Sequence, residues 1–251
     1  MENERVIRAA RIGYAVLAYA AFVGATLWAA GFLADRWAPT TVDGPAGGSW
    51  PAALAVDLGL LGLFAVQHSV MARDGFKRRV ARILPPSVER STYVLIAAAL
   101  LILIFAGWRA LPAVVWQATG ALAAVAWLAY ALGWAIALMA TFMVDHLDFL
   151  GLRQAMSGGA SAPPGFTARW LYAWVRHPMM TGLLVAFWAT PRMTVGHLVF
   201  ALAGTGYILV GIRFEERDLR RGLGADYVDY AARVPALLPR PARPRQPSKT
   251  S

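Results

Sequence analysis

Six apolar runs, separated by short polar breaks, constrain this chain more than any other feature. They cover residues 6–33, 52–71, 92–108, 117–144, 179–190 and 194–212, the last two parted only by Pro191-Arg192-Met193. A helix needs roughly 20 apolar residues to cross a hydrocarbon core about 30 Å thick. Five runs come close to or exceed that length. The run 179–190 would rise only about 18 Å as a helix, so it predicts the short half of a hairpin or a segment that stops inside the bilayer. The expected fold is therefore all-α and polytopic, with five to six membrane segments and a closing C-terminal hairpin.

The charge content agrees with this. Only 15% of residues are charged and 58% are hydrophobic, whereas soluble domains carry about 25% charged residues. The first apolar run has no small-residue cleavage site and is followed by several more, so no cleavable signal peptide is expected. There is no cysteine, which removes disulfides, thiolate ligands and a cysteine nucleophile. The net charge of +10 is explained by topology. With a cytoplasmic N-terminus, 21 of the 24 Lys and Arg residues fall on the inner side, and only Arg36, Arg109 and Arg192 fall outside. Basic residues concentrate on cytoplasmic segments, so both termini are expected inside and no nucleic-acid partner is implied.

The connecting segments differ in character. Residues 35–50 are rich in Gly and Pro, with no chemistry expected. Residues 74–84 place Phe76, Val80, Ile83 and Leu84 on one helical face and Lys77, Arg78, Arg79 and Arg82 elsewhere, the pattern of a helix lying on anionic headgroups. Residues 151–165 are rich in Gly, Ser, Ala and Pro and read as a lid or a slack connector. Residues 1–235 form a single domain in this reading, and residues 236–251 a disordered basic tail.

Polar groups gather at the inner ends of the runs. His68 closes the second, in Gln67-His68-Ser69. His146 follows the fourth, between Asp145 and Asp148. Arg176-His177-Pro178 opens the fifth, and Glu215-Glu216 lies just beyond the sixth. Proline favours the first position of a helix. The unpaired N–H groups there, with Arg176, suit a carboxylate or phosphate; Arg176 can equally be a snorkelling inner residue and His177 a cap. Glu215 and Glu216 can hold an amine or ribose hydroxyls, or pair with Arg217, Arg220 and Arg221 on one helix. Tyr227 and Tyr230, three apart, can stack on a base, face a sulfonium or form an interfacial belt. Asp57 and His197 lie toward the outer side and read as structural, although an ionisable group within a span such as Asp57 calls for a partner. No metal-binding spacing is present.

Arg176-His177-Pro178, Glu215-Glu216-x-x-Leu219, Gly224-x-x-Tyr227-x-x-Tyr230 and Val234-Pro235 together resemble the C-terminal signature of isoprenylcysteine carboxyl methyltransferases and related membrane methyltransferases. Met180 stands where that wider family usually has tyrosine. A longer resemblance, from about Asp57 to Pro235, points to one branch. Gln67-His68-Ser69-Val70-Met71-Ala72-Arg73, Asp145-His146-Leu147-Asp148-Phe149-Leu150-Gly151 and Ala186-Phe187-Trp188-Ala189-Thr190-Pro191 are similar to strings of the bacterial methanethiol S-methyltransferases.

The resemblance implies a bacterial inner-membrane enzyme using S-adenosylmethionine, with a small thiol and the bilayer as partners and no obligate protein partner. Methanethiol would give dimethyl sulfide, with hydrogen sulfide a second acceptor. Arg176, His177 and Pro178 would take the cofactor's carboxylate end, Glu215 and Glu216 its amine or ribose, and Tyr227 and Tyr230 its adenosine. His68 and His146 would serve as candidates for the base that ionises the thiol. Two other readings are carboxyl methylation of an isoprenylated cysteine and a nicotinamide-dependent membrane reductase.

Overall fold

The computed structural model describes residues 2–46, 48–159 and 168–239. Five helices are long and apolar enough to cross a membrane. They are α1 (Glu2–Leu33), α2 (Trp50–Met71), α4 (Pro86–Gly107), α5 (Gly120–Met143) and α9 (Val195–Leu223). The run at 179–190 forms the short helix α8 (Pro178–Trp188). Short helices α3 (Asp74–Val80), α6 (His146–Phe149), α7 (Leu152–Ser157) and α10 (Ala225–Arg233) and a 3₁₀ turn (Trp170–Ala173) lie between or beyond them. The protein is a multi-pass, all-helical membrane protein.

The spans close into a ring. Neighbours α1 and α4, α4 and α2, α2 and α9, α9 and α8, and α8 and α5 pack in pairs. The Tyr130 hydroxyl of α5 reaches the Ala30 carbonyl of α1 at 2.5 Å. One half of the bundle is filled by Phe32, Ile104, Phe105, Trp108, Tyr130, Ala186 and Phe200, with Phe64, Trp134 and Phe187 against them. This is the outer half in the orientation expected from the charges.

The closest pairing is that of α5 with α8, and two glycines allow it. A Cβ on Gly182 would stand 2.5 Å from both the Ala137 nitrogen and the Gly133 oxygen, and one on Gly133 would stand 2.7 Å from the Ala186 nitrogen. Small residues let membrane helices approach backbone to backbone. The same contacts set an antiparallel register, in which one further turn along α5 brings Ala140 and Thr141 to the level of Pro178 and His177.

Some connections are more ordered than the sequence suggests. Two short strands, β1 (Val114–Gln117) and β2 (Arg192–Thr194), pair antiparallel at the outer end. Gln117, expected to open the fourth run, therefore belongs to β1, and α5 begins at Gly120 with φ +57°. Segment 35–50 is structural: the Thr194 hydroxyl donates to Asp43, and Arg192 lies 3.7 Å from the same carboxylate. The segment 151–165 is not wholly slack. Its first part is α7, with Ala155 fully buried, packed on α1 and α4; residues 160–167 lie outside those described. Of the tail expected from 236 onward, residues up to 239 are described, with Ala236 and Leu237 held by hydrogen bonds, whereas 240–251 lie outside the described residues.

Asp57 has a partner for one of its two oxygens, the Oδ2 atom being buried without one among the described residues. Its Oδ1 accepts the Arg109 backbone N–H at 2.9 Å. His197 is buried and its Nε2 lies 2.9 Å from the Phe187 carbonyl, so both residues tie the outer half together.

Candidate active site

Pro178 occupies the first position of α8, with His177 as its N-cap. The segment after α10 lies across this helix start. The Arg176 and His177 backbone N–H groups donate to the Pro235 and Ala236 carbonyls at 2.9 and 3.1 Å. The Thr181 hydroxyl donates to the Leu237 carbonyl at 2.9 Å. The chain's own carbonyls thus take part of the donor capacity expected to face an anion. Met179 and Met180 remain as first-turn N–H groups without a carbonyl in their own helix.

Arg176 and Glu216 form the base of the site. The Arg176 Nε donates to Glu216 Oε1 at 2.8 Å and its NH2 group donates to the same oxygen. Its NH1 group donates to the Ala231 carbonyl at 3.0 Å and to that of Val234. Arg220, one turn after Glu216, donates to Glu216 Oε2 at 2.8 Å. The Arg176 and Glu216 side chains are 11% and 9% exposed, so this is a largely buried ion pair whose desolvation is offset only by a full set of hydrogen bonds. Arg176 and Glu216 hold each other and, through the Ala231 and Val234 carbonyls and Arg220, clasp α10 and the following segment to the C-terminal end of α9.

His177 bridges the acidic pair, with Nε2 3.3 Å from Glu216 Oε1 and Nδ1 3.3 Å from Glu215 Oε2. Glu215 is the open member, its side chain 47% exposed. Tyr227 and Tyr230 are buried, at 2% and 4% exposure, their rings 5.9 Å apart and tilted. The Tyr230 hydroxyl donates to the Tyr172 carbonyl at 2.6 Å. Burial, and then the neighbouring Tyr227, push the Tyr230 pKa up to about 12; burial does the same for Tyr172. Both rings are buried where α10 packs against the rest of the protein.

The two other histidines sit in clusters of their own. His68 Nε2 lies 2.8 Å from the Tyr93 hydroxyl of α4, and its ring stacks on Phe64. Tyr207 of α9 meets it edge-on. Tyr207 and Glu216 are nine residues apart, about two and a half turns, and so lie on opposite faces of α9, roughly 13 Å apart along its axis. His68 therefore faces away from the Arg176–Glu216 clasp. His146 lies on the other side, beyond the end of α5. Its Nδ1 is 2.8 Å from the Thr141 hydroxyl and its Nε2 3.2 Å from that of Tyr19. Its ring stacks on Phe142 with centroids 4.1 Å apart. Because Thr141 falls at the level of Pro178 in the α5–α8 register, His146 is the histidine that shares the depth of the α8 start. Burial lowers its pKa from the ordinary histidine value.

Sequence reasoning named His146 but missed its partners. Tyr19 lies more than a hundred residues away, and Thr141 carries no sequence signal distinguishing it from other helix threonines. Arg220 was legible from its spacing of four from Glu216. The capping of α8 by carbonyls of 235–237 had no signal beyond Val234-Pro235.

The fold and site define a class: a polytopic helical membrane protein with a buried Arg–His–Glu cluster where a short helix meets the end of the last span. The comparisons narrow it. The family described as NnrU protein matches over residues 58–213. A Mycobacterium tuberculosis protein named Methanethiol S-methyltransferase is 51% identical across 92% of this chain and 96% of its own. Methanethiol S-methyltransferase 2 of Bradyrhizobium diazoefficiens is 48% identical across 93% and 91%. Nurim of Rattus norvegicus is 30% identical across 67% and 69%. The chain belongs to the NnrU protein family, in the branch that holds these methanethiol S-methyltransferases. No solved structure matches it.

Proposed function

We propose that this protein is an S-adenosylmethionine-dependent thiol S-methyltransferase that converts methanethiol to dimethyl sulfide at the cytoplasmic face of a bacterial inner membrane. The single observation that carries this reading is the buried Arg176–His177–Glu216 cluster, set at the α8 start in a chain 51% identical to a protein named for that reaction. The donor set suits the cofactor. The half-exposed Glu215 carboxylate fits its ammonium group, and the first-turn N–H groups of Met179 and Met180 fit its carboxylate. When bound, S-adenosylmethionine supplies a methyl group on a sulfonium, open to displacement by a sulfur nucleophile.

The residues contribute position and proton management. Arg176 and Glu216 lock α8, α9 and α10 together and hold His177 beside Glu215. Tyr227 and Tyr230 keep α10 docked over that clasp. Aligning the reactants in this way supplies much of the acceleration in a two-sulfur displacement. A thiol that is mostly protonated near neutral pH reacts as its thiolate, so a base is required. His146, at the depth of the α8 start, is assigned that role; His68 is assigned to holding α2 against α4 and α9.

Headspace gas chromatography of cells expressing the chain and fed methanethiol tests the reading. Dimethyl sulfide above the level of vector-only cells supports it. Methylation of a farnesylcysteine mimic without dimethyl sulfide would replace it with carboxyl methylation.

A further inference from the structure

The hydrogen bonds around His146 have a direction. The Thr141 hydroxyl lies 2.7 Å from the Leu138 carbonyl and 2.8 Å from His146 Nδ1. The Thr141 hydroxyl donates to the Leu138 carbonyl, the shorter of the two contacts. With its hydrogen there, the contact with the ring is met by Nδ1–H donating to the Thr141 oxygen. That leaves Nε2 with its lone pair, and the Tyr19 hydroxyl at 3.2 Å donates to it. Phe142 stacked on one face and Tyr19 meeting the ring edge-on at 5.6 Å hold its plane. At His68 the carbonyl arm is the longer one, 3.5 Å against 2.8 Å to the ring, so the hydroxyl hydrogen is not drawn to the carbonyl in the same way. The Tyr93 hydroxyl reaches both its Nε2 and its own backbone carbonyl, and its Nδ1 is buried without a partner.

The helices place this chain of bonds consistently. The Tyr130–Ala30 bond joining α5 to α1 falls eleven residues before Thr141 and eleven after Tyr19. At about 1.5 Å per residue, both arms descend roughly 16 Å to meet at His146. From these observations we infer that Thr141 fixes the Nδ1–H tautomer of His146, and that Tyr19 is a proton relay between the thiol and His146 Nε2. The inference rests on the proposed thiol methylation.

In this step the thiol gives its S–H proton to the Tyr19 oxygen while the Tyr19 hydrogen passes to His146 Nε2. The thiol sulfur forms its bond to the methyl carbon as the methyl–sulfonium bond breaks, that electron pair staying on the departing sulfur. The products are a neutral thioether, S-adenosylhomocysteine and an imidazolium that returns its proton to water. Tyr19 stays neutral throughout. The charged and titratable groups around the ring are Tyr19 on α1, Arg90 on α4, whose Nε donates to the Phe149 carbonyl at 2.8 Å, Asp145 and Asp148 flanking it, and Arg153 on α7, 2.7 Å from Asp145.

The test uses full-length protein in detergent, with ¹⁵N-histidine NMR to read the tautomer and single-turnover methyl transfer from S-adenosylmethionine to methanethiol. The wild-type His146 signal is expected to be the Nδ1–H form. Thr141→Val should move it toward Nε2–H and slow transfer at least tenfold; Thr141→Ser, which keeps the hydroxyl, should restore both. Tyr19→Phe should slow transfer by roughly 10²-fold, in line with loss of a proton-transfer group, with S-adenosylhomocysteine affinity unchanged. An unchanged tautomer in Thr141→Val, or near-normal rates in both Thr141→Val and Tyr19→Phe while His146→Ala is inactive, overturns the relay alone. A near-normal rate in His146→Ala overturns the base assignment beneath it. Absence of methyl transfer by the wild type overturns the function itself.

Discussion

Replacing Gly182 by alanine tests how the short helix is held. The added Cβ would meet the Ala137 nitrogen and the Gly133 oxygen at 2.5 Å, and the Ala137 Cα at 3.0 Å. Ordinary carbon contacts begin near 3.5 Å, so α5 and α8 must part by about 1 Å. All three obstructing atoms are backbone, so no side chain can swing aside to relieve the clash. Overpacking of this kind costs typically about 1–3 kcal/mol. Because α8 carries His177 at its start, the displacement also reaches the site, and a misplacement of about 1 Å can cost on the order of 10²-fold in rate. The assay is thermal unfolding in detergent beside single-turnover methyl transfer. Gly206→Ala is the control, since nothing lies within 4 Å of a Cβ there and alanine improves helix propensity by up to about 1 kcal/mol. A Gly182→Ala protein with the wild-type midpoint and rate would refute the close crossing and its role in placing α8.

Four further outcomes follow from particular contacts. Glu216→Gln leaves buried Arg176 without its carboxylate and should destabilise by about 3–5 kcal/mol; the double variant with Arg176→Met should cost less than the sum of the singles, read by denaturation in detergent. His177→Ala should weaken S-adenosylhomocysteine binding more than it lowers the thermal midpoint, and the reverse ranking would make His177 a structural cap. Single-turnover transfer should rise with pH through the His146 titration, below the ordinary histidine value near 6.5 because burial lowers that pKa, and then level off; a profile unaltered by His146→Ala would remove the histidine from the proton path. Tyr230 holds its proton to about pH 12 when folded but loses it near 10 when unfolded. The unfolded state then binds fewer protons, so stability should fall between pH 10 and 12, and Tyr230→Phe should flatten that loss.

The membrane fold was legible because run length alone separates a spanning helix from a buried one, and the 179–190 run declared its shortness in the same way. The assembly of Arg176, His177 and Glu216 was also legible, since polar residues at the ends of two adjoining apolar runs must meet when the runs form a hairpin. Their hydrogen-bond partners were not. Nothing local shows that the carbonyls of Ala231 and Val234 accept from the Arg176 NH1 group. Tyr227 and Tyr230 have the spacing of a stacking pair and also that of an amphipathic docking face, and only packing shows that both rings are buried. His68 and His146 looked equivalent at the ends of their runs. The rotation of α9 and the α5–α8 register, which depend on contacts between distant helices, set them apart.

The most direct measurement gives the purified protein S-adenosylmethionine carrying a deuterated methyl group together with unlabelled methanethiol, and reads the headspace by mass spectrometry. The account predicts dimethyl sulfide with one deuterated methyl group, formed in step with S-adenosylhomocysteine and abolished in His146→Ala. Folded protein that binds S-adenosylhomocysteine yet yields no labelled dimethyl sulfide would contradict it.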